Sequence, residues 1–530
     1  MNTSQAPNIL TRRSFLQRAS LLGGAAAGVS TIRDLRLMNS LMAADVPSDY
    51  KALVCVFLAG GNDANNWFVP TDNTTYGEYA TARGNLVIPQ GSLLPLRTGP
   101  NVSDPAYSYQ GRTYGFHPGC GDLQTLFGEG KLAVVQNIGT LVRPTTKAQY
   151  NSGLTAYRPP QLFSHSDQVT HWQTSIPDQP PATGWGGRIA DIFNSVANPS
   201  GQISMSVSLN GANTLQIGNL VSQYHVSTNG AVTFNVGGSG GGLMGSTGVR
   251  QKALQGILDL SHANLQRQAY AQILDNAVFT GDLLNNNIAA YRDPTDSPAS
   301  YTAASQDAAA PWRWNTGLTG IYSATAQPNG LGGFPNTTLG IQLKMIARLI
   351  ASSGPSGFNM KRQIFYCSLG GFDTHTAQVD GNGFTNQPTN SGGTHYGLLR
   401  QVSQAMFAFQ RAMEQIGLGD KVTAFTASDF SRTFPSNSQG SDHGWGSHHI
   451  VVGGGVDGGK VYGKLQNFAI SGPDDTGIGR WIPTLSVDEH TATLAKWYGL
   501  SSGDINAVLP NIGRFNTSHA GGYIGFMKPA

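Results

Sequence analysis

Three aspartates of this sequence follow apolar runs, and each lies in a short turn. Asp63 and Asp373 come shortly after glycine pairs, and Asp429 follows directly on VTAFTAS. His375 lies two residues beyond Asp373. If the apolar runs are parallel strands, their carboxyl ends meet at one edge of the sheet, where ligands bind. We therefore expect these side chains to converge.

A histidine-rich segment lies just downstream of the third aspartate. Asp442 and His443 are followed by His448 and His449 in SDHGWGSHH. Carboxylates crowded together repel one another unless protons or a cation neutralise them. Aspartate oxygen and histidine nitrogen together suit zinc, manganese or another first-row divalent ion, and two ions can share such a set. The sequence predicts a divalent metal site for Zn or Mn, with one or two ions.

Each of these residues also has a simpler interpretation. A single aspartate in a glycine-rich turn is commonly an N-cap or a turn former. A histidine pair is more often a surface or core feature than a ligand pair. The joint pattern favours metal, because chance does not readily place aspartates after three strands and histidines beside the last one.

Short apolar runs bounded by glycine must position these groups. Buried strands are predicted at 52–58, 132–136, 363–369 and 422–426. Segments with helical spacing precede the last three, at 122–127, 339–351 and 398–416. Alternation of strand and helix predicts an α/β protein with a doubly wound, mostly parallel sheet.

One part of the chain departs from this alternation. Residues 203–248 alternate polar and apolar side chains around a Gly/Ser run at 237–242, which predicts a β-rich insertion. The predicted organisation is a signal peptide at 1–44 and a single α/β domain at 45–530, with the insertion around 200–335. The length also permits two domains.

Composition narrows the classes of partner. The formal net charge is +3, and no Lys/Arg-rich run occurs beyond the N-terminal segment, so no nucleic-acid partner is expected. The three cysteines, Cys55, Cys120 and Cys367, have no C-x-x-C spacing and predict neither a disulfide framework nor a zinc ribbon.

The N-terminal segment is typical of a twin-arginine (Tat) signal. Arg12 and Arg13 precede a weakly apolar, small-residue run at 19–32, and small residues at 41–44 suggest the cleavage region. The run is shorter than the roughly 20 residues of a spanning helix, so no stable membrane span is expected. We expect a periplasmic or secreted protein that meets the Tat translocase during export. A basic arm that stays attached is the alternative.

Several motifs together resemble the DUF1501 family of Tat-exported bacterial proteins, which is similar to the alkaline phosphatase and sulfatase superfamily. They are the Tat signal, GGNDANNW, GGFDTHTAQ, ASDFSRT, SDHGWGSHHIVVGGGVDGG and VDEHTATLAKWYGL. The resemblance runs in order over nearly the whole chain that follows the signal, and it implies an alkaline phosphatase-like fold. It also implies a set of metal ligands: Asp63, Asp373, His375, Asp429 and a late histidine from His443, His448 or His449.

The resemblance also implies a nucleophile at a helix N-terminus between the first two of these aspartates. Ser164 and Ser166, in FSHSDQ before the helical-looking QVTHWQT, fit that place, although serine is also a favoured N-cap. Arg432 and Arg143 are candidates to hold a substrate oxyanion by bidentate bonds, or to make structural pairs.

Two departures limit what the resemblance implies. Phe430 stands where many superfamily members have a histidine, and no Cys-x-Pro-Ser-Arg or Cys-x-Ala-Ser-Arg sequence supports formylglycine chemistry. We expect an exported metal-dependent hydrolase-like protein acting on a phosphate or sulfate ester of a small molecule or glycan. The alternative is a non-catalytic extracytoplasmic binding or assembly protein that retains the fold.

Overall fold

The computed structural model describes residues 46–99, 103, 105–201, 203–231, 256, 280–288, 334–379, 395–515 and 523–529. The predicted Tat signal at 1–44 and the Gly/Ser run at 237–242 lie outside these residues. Within them, no helix is both long and apolar enough to cross a membrane.

Thirteen strands are assigned in the described part of the chain. They are β1 (Lys51–Leu58), β2 (Phe68–Pro70), β3 (Leu94–Pro95), β4 (Ser108–Tyr109), β5 (Arg112–Phe116), β6 (Leu132–Gly139), β7 (Ser206–Ser208), β8 (Tyr224–His225), β9 (Arg362–Leu369), β10 (Val422–Ser428), β11 (Ser447–Val452), β12 (Lys460–Tyr462) and β13 (Leu485–Ser486).

Ten α-helices with assigned bounds accompany these strands in the described part. They are α1 (Ala64–Trp67), α2 (Asn73–Arg83), α3 (Gly121–Gly128), α4 (Lys147–Asn151), α5 (His165–Thr174), α6 (Trp185–Ala197), α7 (Thr338–Ala351), α8 (His395–Gln415), α9 (Val487–Tyr498) and α10 (Ser502–Val508). Residues 280–288 are also helical.

A large, mostly parallel sheet organises the protein. Its strand order is β12-β6-β11-β10-β1-β9-β7-β8, with β13 also paired to β6. Strand β1 lies at its centre, parallel to β10 and to β9. Strand β11 runs antiparallel to its two neighbours, β10 and β6. The predicted mixed α/β class with a mostly parallel sheet is confirmed.

The central strands are buried along almost their whole length because both faces of the sheet are covered. Residues 52–58 of β1 are buried, as is every residue of β9 and β10. Helix α7 packs against α8 and β9, and α8 packs against α3. Helix α5 packs on β10 and α6, and α9 contacts β1 and α10. The four predicted strands and three predicted helices are present, with bounds shifted by three residues at most.

Part of the predicted insertion extends the main sheet. Strand β7 pairs with β9, and β8 pairs with β7, so both continue the parallel array at its edge. A smaller antiparallel sheet of β2, β3, β4 and β5 forms after β1. Cys55, Cys120 and Cys367 are buried and free.

Candidate metal centre

The carboxyl ends of the three central strands lie level with one another. Leu58, near the end of β1, pairs with Leu369 on one side and Ser428 on the other. Their loops therefore leave the sheet side by side. Gly60 has a φ of +115°, and a Cβ there would lie 2.4 Å from the backbone nitrogen of Asp373, so glycine permits the two loops to touch.

Four side chains meet above these strand ends. Oδ1 of Asp373 lies 3.1 Å from Nε2 of His375, 3.3 Å from Nε2 of His443 and 3.5 Å from Nε2 of His165. The Nε2 atoms of His375 and His443 are 3.0 Å apart. The ligand atoms of His165, Asp373 and His443 all lie within 4.8 Å of one another. We call these four residues the metal-centre cluster.

The other nitrogen of each imidazole faces a group that can only accept a hydrogen bond. Nδ1 of His165 lies 2.7 Å from Asp429, and Nδ1 of His375 lies 3.0 Å from Asp442. Nδ1 of His443 lies 2.8 Å from the carbonyl oxygen of Phe163. When these carboxylates are ionised, each Nδ1 must carry the proton, which leaves a lone pair on each Nε2 of the neutral ring.

Three lone pairs and a carboxylate oxygen therefore point at one another. Such an arrangement is unfavourable without a positive charge, so it suits a cation. Metal-bound histidines usually donate their second N–H to a carboxylate or a backbone carbonyl, as all three do here. The electrostatic pattern is that of metal ligands with their supporting hydrogen bonds.

Four of the six separations among these ligand atoms fit a small first-row ion, although the group whose ligand atoms all lie within 4.8 Å of one another comprises His165, Asp373 and His443 without His375. Metal–ligand distances of about 2.0–2.2 Å in a tetrahedral site place neighbouring ligand atoms roughly 3.3 Å apart. The four separations around Asp373 and between His375 and His443 run from 3.0 to 3.5 Å. Three nitrogens and one oxygen form a donor set that zinc accepts readily.

Arg432 supplies the fixed positive charge beneath this cluster. Its side chain is fully buried, and its Nη1 lies 2.6 Å from Oδ1 of Asp373. It also donates to the carbonyl oxygens of Gly60 and Ser441. Partial burial raises the pKa of Asp373, but the hydrogen bond and charge of Arg432 outweigh it and leave the pKa below its usual value.

The charges around the cluster are not balanced by protein groups alone. Asp373, Asp429 and Asp442 with Arg432 give a formal charge of −2 when the histidines are neutral, which one divalent cation neutralises. The hydrogen bond to Asp429 raises the pKa of His165. Partial burial lowers the pKa of His443.

The cluster is open to solvent on one side. The exposed fraction of the side chain is 45 % for Asp373, 42 % for His375, 34 % for His165 and 21 % for His443. Phe430 covers the other side, with its ring centroid 4.8 Å from that of His165 and 4.7 Å from that of His443. A ligand in solution therefore has access to the cluster, while an apolar side chain fixes the two rings.

Asp429 and Asp442, both predicted as metal ligands, contact the Nδ1 atoms of His165 and His375 and not the Nε2 side of the cluster. Asp429 is almost fully buried, and its second oxygen accepts from the backbone nitrogen of Gly60 at 3.1 Å. Asp442 accepts from Asn437 as well as facing His375. Both carboxylates orient histidines.

Asp63 lies apart from the cluster in a pair of its own. Its side chain is fully buried and forms a salt bridge with Arg83, which is also fully buried. Gln378 donates to the same oxygen at 2.5 Å, and the backbone nitrogen of Asn65 donates to the other at 3.2 Å. Burial raises the pKa of Asp63, but the charges of Arg83 and His395 and these hydrogen bonds leave the pKa lowered. The structure supports the N-cap interpretation at this position.

His448 and His449 lie within strand β11 and are not brought to the cluster. Nδ1 of His448 accepts from the backbone nitrogen of Asn137 at 3.0 Å, and burial lowers the pKa of His448 to about 4. His449 lies near Thr426 and Trp172, and burial also lowers its pKa. Consecutive strand residues point to opposite faces, so the two rings do not share a site.

Ser164 and Ser166 flank His165 at the start of helix α5. The Ser164 hydroxyl does not cap the helix and instead donates to Asp167 at 2.6 Å. The Ser166 hydroxyl lies 3.2 Å from that of Ser164 and 3.4 Å from Asp167. Both hydroxyls are therefore held by one carboxylate beside a cluster residue.

His165 is the cluster member that the sequence did not predict as a ligand. Asp373 and His375 could be predicted because they follow the end of a strand. His165 lies at the start of a helix more than two hundred residues before Asp373. The sequence signal for His165 is its place inside FSHSDQ, where the flanking serines match the nucleophile position that the resemblance implies.

Comparison with known proteins identifies one family. Residues 356–475 match the model of the family described as "Protein of unknown function (DUF1501)", which confirms the DUF1501 prediction over that part of the chain. The matched segment contains Asp373, His375 and His443 but not His165. No curated protein matches the chain.

A likeness to one solved structure is weak. The crystal structure of Ps i-CgsB in complex with k-i-k-neocarrahexaose has a TM-score of 0.31 and 10 % sequence identity, over 88 % of this chain and 77 % of that chain. A similarity at this level carries no argument about this protein.

Proposed function

We propose that this protein, whose 356–475 segment matches the DUF1501 family, is an exported metal-dependent hydrolase acting on a phosphate or sulfate ester. The observation that carries the proposal is the convergence of three imidazole Nε2 atoms on Oδ1 of Asp373, each ring oriented by an acceptor on Nδ1. His165, Asp373, His375 and His443 would hold one divalent ion, preferably zinc. Export would follow from the twin-arginine segment.

A divalent ion in such a site supplies a Lewis acid that polarises an ester oxygen and lowers the pKa of bound water. Side chains of the protein would orient the metal ligands and give the ester access to the ion. Asp429 and Asp442 fix the tautomers of His165 and His375. Arg432 stays beneath Asp373 and holds its carboxylate in place, and the exposed side of the cluster admits the ester.

Ser164 is the preferred nucleophile of this proposal. Its hydroxyl donates to Asp167 at 2.6 Å, so Asp167 is positioned to take the proton as Ser164 Oγ bonds to phosphorus or sulfur. The bond from phosphorus or sulfur to the ester oxygen would break, and the departing alkoxide would take a proton from water to leave as the alcohol. Water would then release the phosphate or sulfate from Ser164. Ser166, which faces the same carboxylate at 3.4 Å, is the substitute.

A second candidate is a non-catalytic binding or assembly protein that holds one structural ion. The environment of Asp63 favours it, because both oxygens already accept hydrogen bonds and Asp63 does not join the other ligands implied by the superfamily resemblance. In this case the metal-centre cluster would order the three loops without turnover.

Purified protein can distinguish these functions. Metal content would be measured by elemental analysis, and turnover on panels of aryl and sugar phosphates and sulfates. The hydrolase predicts about one metal ion per chain, activity that is lost in His375→Ala together with the metal, and activity that is lost in Ser164→Ala with the metal retained. One bound ion without turnover of any ester would support the binding protein, and a chain that binds no divalent ion would overturn both.

A further inference from the structure

An open cleft lies directly beside the metal-centre cluster. It has a volume of about 670 Å³ and is lined by residues of the segment 153–164. We call it the 153–164 cleft. Its last lining residue, Ser164, precedes His165, and the carbonyl oxygen of Phe163, also in its wall, accepts from His443. The cleft and the cluster therefore share one wall.

Three arginines are held on aromatic rings in and around this wall. Arg158 lines the cleft and lies 4.9 Å from the ring centroid of Tyr150. Arg480 lies 4.2 Å from the ring of Phe163 and donates from Nε to the carbonyl oxygen of His443. Arg143 lies 5.5 Å from the ring of Tyr157. Stacking on a ring orients a guanidinium plane and leaves its N–H edge free for an anion.

These three arginines lack the partners that neutralise other arginines of the protein. Within the described part of the chain, Arg83, Arg362, Arg411, Arg432 and Arg514 each lie within 4.0 Å of a carboxylate, whereas no such pair is found there for Arg143, Arg158 or Arg480. In addition, Nε of Arg143 is buried without a hydrogen-bond partner. The cleft therefore has positive charge on its wall that the protein does not compensate by direct ion pairs.

Two carboxylates near this wall are engaged elsewhere. Asp167 accepts from Ser164 and Ser166. Asp475 accepts from the backbone nitrogens of Ser471, Gly477 and Arg480, and so closes its own loop. Neither forms an ion pair with the three arginines.

We propose that the 153–164 cleft binds a second sulfate or phosphate group of a substrate that carries several such groups, while another group occupies the metal centre. The proposal rests on the proposed function for the reaction and names its substrate class, a polyanionic oligomer. Guanidinium groups match the paired oxygens of sulfate and phosphate, which favours this class over a neutral ester. A small ester with a single anionic group would leave the cleft unfilled.

The test is binding, measured separately from turnover. Calorimetric titration at 0.15 M salt would compare a sulfated dextran oligomer, a polyphosphate of equal charge and neutral dextran. The variant Arg158→Gln, which changes the arginine that lines the cleft, is expected to weaken binding of the charged oligomers at least roughly 10-fold, because charge-assisted hydrogen bonds are lost. Neutral dextran should not bind, and the two charged probes distinguish a sulfate from a phosphate ligand.

Lys496→Gln is the matched control for loss of charge. Lys496 is exposed near the end of α9, and the carbonyl oxygen of Tyr498 beside it accepts from Arg362 at the start of β9, the end opposite to the cluster. The affinity of Lys496→Gln for the charged oligomers should differ from that of wild type by less than about twofold. An equal loss in Lys496→Gln and in the arginine variant, or no binding by wild type, would overturn the proposal.

Turnover separates this proposal from the proposed function. With a single-charge aryl ester, Arg158→Gln should keep kcat/KM, whereas its KM for the charged oligomer should rise. If the protein binds the oligomer through Arg158 but hydrolyses no ester, the binding proposal for the 153–164 cleft stands and the proposed hydrolase function is wrong. Hydrolysis of small esters without arginine-dependent binding would retain the hydrolase and reject the cleft.

Discussion

Replacing His165 by alanine gives the sharpest test of the metal-centre cluster. His165 lies outside the family match and joins the other ligands only through the fold. Structural zinc sites bind with about 10–16 kcal/mol, and an equal share for each of four ligands is about 2.5–4 kcal/mol. At about 1.4 kcal/mol for each factor of ten, His165→Ala should weaken zinc binding by roughly 60- to 700-fold.

The assay is competition for zinc against a chromogenic chelator of known affinity, with elemental analysis of dialysed protein. His225→Ala is the matched control, because His225 is exposed in the short edge strand β8 and takes no part in the cluster. The zinc affinity of Asp442→Asn should lie between those of His165→Ala and His225→Ala. We expect about 10- to 100-fold weaker binding than in wild type, since mutation of a residue that hydrogen-bonds to a metal ligand typically has an effect of that size.

Particular results would refute this reasoning. Zinc affinity in His165→Ala equal to that of wild type would remove His165 from the ligand set. An equal loss in His165→Ala and His225→Ala would show that the measured zinc is bound at scattered histidines. Circular dichroism at the same temperature would confirm that each variant remains folded.

Two further predictions concern buried carboxylates. Asp63→Asn should leave zinc affinity within about twofold of wild type. It should lower the free energy of unfolding in urea by about 3–5 kcal/mol, because Arg83 loses its buried partner. Weaker zinc binding with an unchanged free energy of unfolding would instead make Asp63 a metal ligand. Burial raises the pKa of Asp488 from 3.8 to about 7. The folded state then binds the extra proton between these values, so Asp488 lowers stability as pH rises from about 4 to about 7, by at most roughly 4 kcal/mol. Asp488→Asn should therefore unfold at a higher urea concentration than wild type at pH 8, and the difference between their unfolding midpoints should be smaller at pH 5. An equal difference at both pH values would refute the raised pKa of Asp488.

Four of the nine strands of the main sheet could be predicted, because they are buried on both faces. Continuous apolar runs bounded by glycine mark such strands, so β1, β6, β9 and β10 were located within three residues. Strand β11 was not predicted as a strand, because SHHIVV contains two histidines that looked like ligands. Burial between β10 and β6 decides their environment, and a local pattern does not contain that information.

The amino-acid sequence by itself determined the strand ends and hence the edge at which Asp373, His375 and Asp429 meet. Only the tertiary structure decided the role of each group, since that depends on contacts between residues far apart in the chain. Arg83 and Gln378 hold Asp63, Asp429 orients His165, and a helix start supplies the third imidazole. Residue types restrict which chemistry is possible, but the distances and partners that select among those possibilities exist only in the folded chain.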